Sequence, residues 1–348
     1  MIVINSVSQK LFNLLPALKN VRSNTAVIPQ GQKIYPNLQP LSKDTVSFSG
    51  QASGKVINNK EYYGGNGPLV RKIYGAAQIQ GDNFEKVLKE TFASCCEFEG
   101  NKPKRPVAHM VFSRKSISSI KEKFASNRIV NEAEAKDTIR DIVRARIVID
   151  DTEDNKGGNI ICSKLIKAVK EKKLNIVNIK NYYEMDPKYN HGVDTQYISF
   201  SNLLNLDNEV SENYGISVLK SGQTKDSGYN AVHIIFKLDD GFYGELQIMG
   251  KEVEKMKEIE DIIYKIECNK HIPPKFDEVK KVYSETIAKS PKKEAALSEY
   301  TRLAYNAQRF KELGIYSGKE TTEFLPLPKN SNLPQIFDYN NLARIYRS

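Results

Sequence analysis

Apolar residues recur at every second position in two stretches near residue 240, and at every third or fourth position along most of the rest. Val232, Ile234, Phe236 and Leu238 alternate with Ala231, His233, Ile235 and Lys237, then Phe242, Leu246 and Ile248 alternate with Tyr243, Glu245, Gln247 and Met249. Period-two alternation predicts two strands, each with one face turned to a core. The loop length follows from the faces. A two-residue loop would set Phe236 opposite Glu245. A three-residue loop at 239–241 sets Leu238 opposite Phe242, Ile234 opposite Leu246 and His233 opposite Gln247. Only the second register gathers the apolar residues on one face, because a one-residue slip flips every side chain. It leaves His233, Glu245 and Gln247 together on the other face, with Tyr229 just upstream. Gly241 stands where the turn needs a positive φ.

The flanking patterns alternate strand and helix. Asp82 is placed to cap a helix carrying Phe84, Val87, Leu88, Phe92 and Cys95. Ser116 is placed to cap another, with Ile117, Ile120 and Phe124 as its stripe. Ala145, Ile147 and Ile149 alternate with Arg144, Arg146, Val148 and Asp150, which predicts a strand with two arginines on one face and Asp141 at its entry. A helix through Ile161, Leu165, Ile166 and Val169 and a strand at 174–179 follow, with weaker strand signals at 195–200 and 215–219 and a polar, tyrosine-rich loop at 182–194. Helices are expected at 251–266, through 276–287, and from Pro291 to a stop at Gly314. The tail from 317 reads as irregular. The fold class expected is α+β: a mixed sheet of about five strands flanked by helices, with a helical C-terminal extension.

Composition refines this picture. Residues 1–75 combine scattered Pro, Gly, Ser, Asn and Gln with many lysines and few acids, so they read as a basic, mobile extension with one short helix near Leu11–Leu18. Domain limits are then 1–75, 76–270 for the mixed sheet and 271–348 for the helical extension. The chain has 348 residues and a net charge of +10, which suits polyanionic ligands such as nucleotides or RNA without choosing among them. No apolar run approaches a membrane span, and the start lacks a secretory pattern, so the cytoplasm is the expected compartment. The four cysteines have no CxxC spacing and read as reduced. Self-association into a homo-oligomer stays open.

Three stretches carry candidate chemistry. Lys115 and Lys123 border the Ser116 helix, Asp141 precedes Arg144, Arg146 and Ile147, and Gly228-Tyr229 leads to His233 before Glu245-Leu-Gln247-Ile248. A solvated face accounts for any one of these alone. Together, and in this order, they resemble the RelA/SpoT nucleotidyltransferases, which move a pyrophosphate from ATP to the ribose 3′-hydroxyl of GDP or GTP. The resemblance covers roughly residues 105–265 and rests on Lys115, Ser119, Ile120 and Lys123, on Asp141, Arg146 and Ile147, and on the two hairpin segments. It departs from the family at Ser113, where an Arg is usual and Arg114 stands one residue late, at Ser227 for Asn, and at Met249-Gly250 for Arg-Thr.

The resemblance implies a nucleotidyltransferase-like sheet and an Mg²⁺ ion held by Asp141 and Glu245, with Glu245 also a proton acceptor. It implies ATP phosphates held by Lys115, Lys123, Arg144 and Arg146. Tyr229 would stack on the acceptor base, with Lys225, His233 and Gln247 nearby. These residue types suit the chemistry, since phosphoryl transfer spreads negative charge that cations and metal stabilise. No His-Asp dipeptide is present, although the hydrolase half of the long bifunctional enzymes needs one, so the resemblance is to a small, synthetase-only member. Two alternatives are carried: a toxic relative that modifies the tRNA 3′ CCA end or an adenine nucleotide, and a degenerate copy that only binds nucleotide or RNA.

Overall fold

The computed structural model describes residues 67–150, 156–182, 217–219, 228–312 and 322–348. The hairpin is as its faces demand. Strand β6 (Val232–Lys237) pairs antiparallel with β7 (Tyr243–Gly250), His233 lies opposite Gln247 and Ile234 opposite Leu246. Leu238 donates to Phe242 at 2.8 Å and Gly241 to Leu238 at 2.9 Å, with Gly241 at φ 78°. The turn is tied down by Gln80, whose amide donates to Asp240 Oδ2 at 2.7 Å.

Gln80 belongs to α1 (Gly67–Phe92). This helix begins well before Asp82, which sits mid-helix instead of capping it, so residues 67–75 are not part of an irregular extension. Val70, Ile73, Ala77, Phe84, Leu88 and Phe92 form its buried stripe. Gln80 and Gly81 interrupt that stripe with residues that do not read as apolar, which hides the first half of the helix from a periodicity argument.

After the two-residue β1 (Cys96–Glu97) comes β2 (Ala108–Arg114), a strand the patterns above did not predict. Ser116 caps α2 (Ile117–Asn127) by accepting from Ser119 N at 3.2 Å. Short α3 (Glu132–Thr138) leads to β3 (Val143–Ile149), α4 (Lys156–Lys170), β4 (Ile176–Asn181) and the three-residue β5 (Ser217–Leu219). The strand signal at 195–200, the tyrosine-rich loop beyond Tyr182 and the basic extension with its short helix before residue 67 lie outside the described residues.

The described strands form one seven-stranded mixed sheet in the order β1-β2-β3-β7-β6-β4-β5. About five were expected; β1 is too brief to show alternation, and in β2 the adjacent Met110, Val111 and Phe112 blur it. One face packs Ala145, Ile147, Val232, Ile234, Phe236, Leu246 and Ile248 against α1, α2 and α4.

The other face is also covered. Helix α5 (Lys251–Glu267) leaves β7 with no loop, and α6 (Asp277–Val282), a π-helical turn (Tyr283–Ile287), α7 (Pro291–Glu312) and α8 (Tyr339–Arg347) complete a second layer. Val148, Ala231, Tyr229 and Met249 share one core with these helices. The tail is irregular over residues 322–334, as expected, but ends in a helix: Asp338 caps α8 by accepting from Asn340 N at 2.8 Å. All described residues fall within one compact unit. No described helix is long and apolar enough to cross a membrane, and all four cysteines are free.

Candidate active site

The strands β3, β7 and β6 lie side by side at the sheet centre, so one face carries Arg144 and Arg146, then Glu245 and Gln247, then His233. Register makes this exact: Arg144 is opposite Glu245, Arg146 opposite Gln247 and Gln247 opposite His233. On β2, Ser113 is opposite Arg144 and shares the face. Arg114 therefore points to the other side, where its guanidinium meets Gln78 at 3.1 Å and Glu85 at 3.3 Å on α1. The one-residue offset of this arginine removes it from the site altogether.

A continuous polar chain crosses the face. Tyr229 Oη lies 3.0 Å from His233 Nε2, and His233 Nδ1 lies 2.8 Å from Glu245 Oε1. A carboxylate only accepts, so Nδ1 donates, and a neutral ring with its proton there satisfies both bonds. Gln247 donates to Glu245 Oε2 at 2.9 Å. Arg144 Nε reaches the same oxygen at 3.4 Å, and the guanidinium also bonds Asp141. Lys115 closes the row with a 2.6 Å bond to Asp141 Oδ2. The two carboxylates thus converge on one arginine, whose side chain is 45% exposed. Beside them Arg146 bonds Glu254 of α5 at 3.1 Å, and His109 of β2 reaches Glu254 at 3.5 Å.

Electrostatics follow from this packing. Burial pushes Asp141 upward, but Arg144 and Lys115 outweigh it and hold the carboxyl below its ordinary value. Burial likewise raises Glu245, and His233, Arg144 and Gln247 overcome it, leaving the carboxyl well below the usual range. Burial lowers Lys115 despite Asp141, and Lys123 is near enough to add to that lowering.

Tyr229 differs from expectation. It is 6% exposed, packed edge-on against Tyr305 at 6.0 Å and near Tyr182 at 6.2 Å, with its hydroxyl spent on His233. In this structure it braces the imidazole and offers no open ring for a base. Lys225 lies outside the described residues. Lys257, on α5, is a cation on this face that sequence reading missed, since one lysine on a charged helix carries no distinguishing signal. Burial and then Arg146 and Arg144 pull it to about 8.

No protein-family model matches this sequence, and no curated protein does. Its structural neighbours are GTP pyrophosphokinase and small alarmone synthetase structures. A GTP pyrophosphokinase family protein from Streptococcus pneumoniae is 17% identical, covering 70% of this chain and 96% of its own at a TM-score of 0.33. The small alarmone synthetase 2 from Bacillus subtilis is 18% identical over 70% and 94%, at 0.34. The small alarmone synthetase 1 from Bacillus subtilis bound to its product pppGpp is 14% identical over 69% and 96%, at 0.30. At these identities and TM-scores the likeness is too loose to carry a residue's role from those proteins to this chain.

Proposed function

We propose that this chain is a pyrophosphokinase that transfers pyrophosphate from ATP to the 3′-hydroxyl of a guanine nucleotide, GDP or GTP. The observation that carries the reading is the convergence of Asp141 and Glu245 on Arg144, with Lys115 and Arg146 beside them on one sheet face. Such a face matches the needs of phosphoryl transfer, where positioned cations stabilise charge spread over phosphate oxygens.

The donor set fits Mg²⁺ of the shared kind. Asp141 commits only Oδ2 to the described partners, so its second oxygen remains for a metal held jointly with substrate phosphates. Asp141 would hold it with that oxygen, and Glu245, both of whose oxygens already accept hydrogen bonds, would join it through a remaining lone pair; when bound it supplies charge neutralisation at the phosphates. Among the described residues no cluster of three or more His, Cys, Asp or Glu makes a cage without substrate. In the proposed reaction Lys115, Arg144 and Arg146 bind and orient the ATP phosphates. His233 fixes the Glu245 carboxylate, and Tyr229 fixes His233.

The test is transfer by the purified full chain from ATP labelled in its terminal phosphates, with GDP, GTP, AMP, ADP and tRNA offered in turn. Labelled GDP or GTP product is expected. Label on tRNA or an adenine nucleotide replaces the acceptor, and no product with any acceptor overturns the enzyme reading.

A further inference from the structure

Helix α5 starts at the end of β7 and runs back along β3, and its side chains record the path. Lys251 meets Asp150 at 3.3 Å, and one turn later Glu254 meets Arg146 at 3.1 Å. Lys257 is one further turn along the same flank, about 4.5 Å on, which carries it toward Arg144. It is partly buried, and its ammonium has no hydrogen bond or ion pair among the described residues. Arg146, its neighbour across the face, keeps a buried Nε without a partner.

The helix path thus brings a third cation toward Arg144 and Arg146, and the carboxylates nearest those arginines, Glu254, Asp141 and Glu245, are each already engaged by another donor. Arg146 and Arg144 face Lys257 from β3, while Asp261 and Glu260 on its own helix offset them in part. A lysine kept near arginines with no ion-pair partner among the described residues is costly to the fold, and an anion on that spot would relieve the cost.

We propose that Lys257 is a binding residue of this face, its ammonium joining the guanidinium groups of Arg144 and Arg146 on the phosphate chain of a nucleoside triphosphate. The identity of that anion rests on the pyrophosphokinase reading; the cationic clamp rests on the geometry. Lys257 adds a helix cation to the two strand arginines, so the phosphate chain is held from the sheet and from α5.

The experiment compares wild type, Lys257→Met and Lys257→Arg in the full chain. It measures equilibrium binding of a non-hydrolysable ATP analogue, the thermal midpoint, and KM for ATP in the transfer assay. Lys257→Met is expected to weaken the analogue about 10- to 100-fold, the range of one charge-assisted bond, and to raise KM for ATP while leaving the acceptor's KM unchanged. Its midpoint stays level or rises, because a partly buried charge that no described carboxylate pairs is removed. Lys257→Arg restores binding to within a few-fold. The proposal is overturned if the wild type does not bind the analogue, if Lys257→Met binds it equally, or if both variants lose midpoint and affinity in parallel, the mark of a structural lysine. Lys257-dependent binding with no transfer to any acceptor overturns the pyrophosphokinase reading alone. Transfer at wild-type KM after Lys257→Met overturns this inference alone.

Discussion

Glu245 is the residue on which most of the polar chain depends, since it takes His233, Gln247 and Arg144 on its two oxygens. Glu245→Gln should lower transfer by about a hundredfold or more, as losing one preorganised group commonly does. It should also cost stability, because a buried hydrogen-bonded charge is replaced by a neutral amide that His233 and Arg144 hold less well; about 2 kcal/mol is expected. The pH dependence has a definite sign. The folded-state carboxyls of Glu245 and Asp141 lie below their ordinary values of 4.5 and 3.8, so their contribution is complete above those values and declines as the solution is acidified past them. Acid titration of the thermal midpoint should therefore show a fall below about pH 4.5 that is shallower in Glu245→Gln and in Asp141→Asn. Equal slopes in all three proteins would mean that neither carboxylate is held as described.

At the scale of elements, the hairpin was legible because strict alternation and one glycine leave a single register. Gly241 and Gly228 separate two costs. Both have positive φ, at 78° and 75°. A Cβ on Gly241 meets only Lys136 Cδ at 3.9 Å, so Gly241→Ala should cost about 1 kcal/mol of backbone strain and leave transfer unchanged. A Cβ on Gly228 would sit 2.9 Å from the Arg302 Cα on α7, against backbone that cannot step aside. Gly228→Ala should destabilise clearly more than Gly241→Ala and disturb Tyr229 next to it, lowering transfer as well. Denaturant midpoints for the two variants check the order; a reversed order would show that the α7 contact is soft. Elsewhere the sequence was less readable for identifiable reasons. Helix α1 lost its first half to Gln80 and Gly81 on the buried stripe. The two-residue β1 cannot show a period, β5 left only the weak signal at 215–219, and α8 follows a stretch broken by Pro328 and Pro334. Of the site, the motif residues could be named, but not the enclosure of Tyr229, which depends on α7 returning from far along the chain, or the approach of Lys257, which depends on how α5 folds back beside β3.

For the whole molecule, the decisive fact is that the polar face of the hairpin is not open to water from above. His233, Glu245 and Gln247 are each 8% exposed, and the C-terminal helices form the layer that covers this side of the sheet. Residues 322–348 belong to that layer structurally, although they read as a tail. Phe324, Phe337 and Tyr339 are fully buried and Leu342 is 1% exposed. Tyr339 Oη meets Thr301 of α7 at 2.7 Å, and Tyr300 donates to the Leu325 carbonyl at 2.7 Å. Burying four such side chains is worth about 8 kcal/mol at roughly 2 kcal/mol each, comparable with the whole stability of a typical domain, about 5–15 kcal/mol. Deletion of 322–348 should therefore abolish the cooperative thermal transition and transfer together, since α7 loses its cover and Tyr305 its packing against Tyr229. Tyr339→Phe removes only the hydroxyl shared with Thr301, and should cost about 1 kcal/mol with transfer retained. Calorimetry of both proteins separates the cases. A truncated chain that still melts cooperatively near the wild-type midpoint would make the last helix an appendage, and the bracing of His233 and Glu245 would then have to come from α5 and α7 alone.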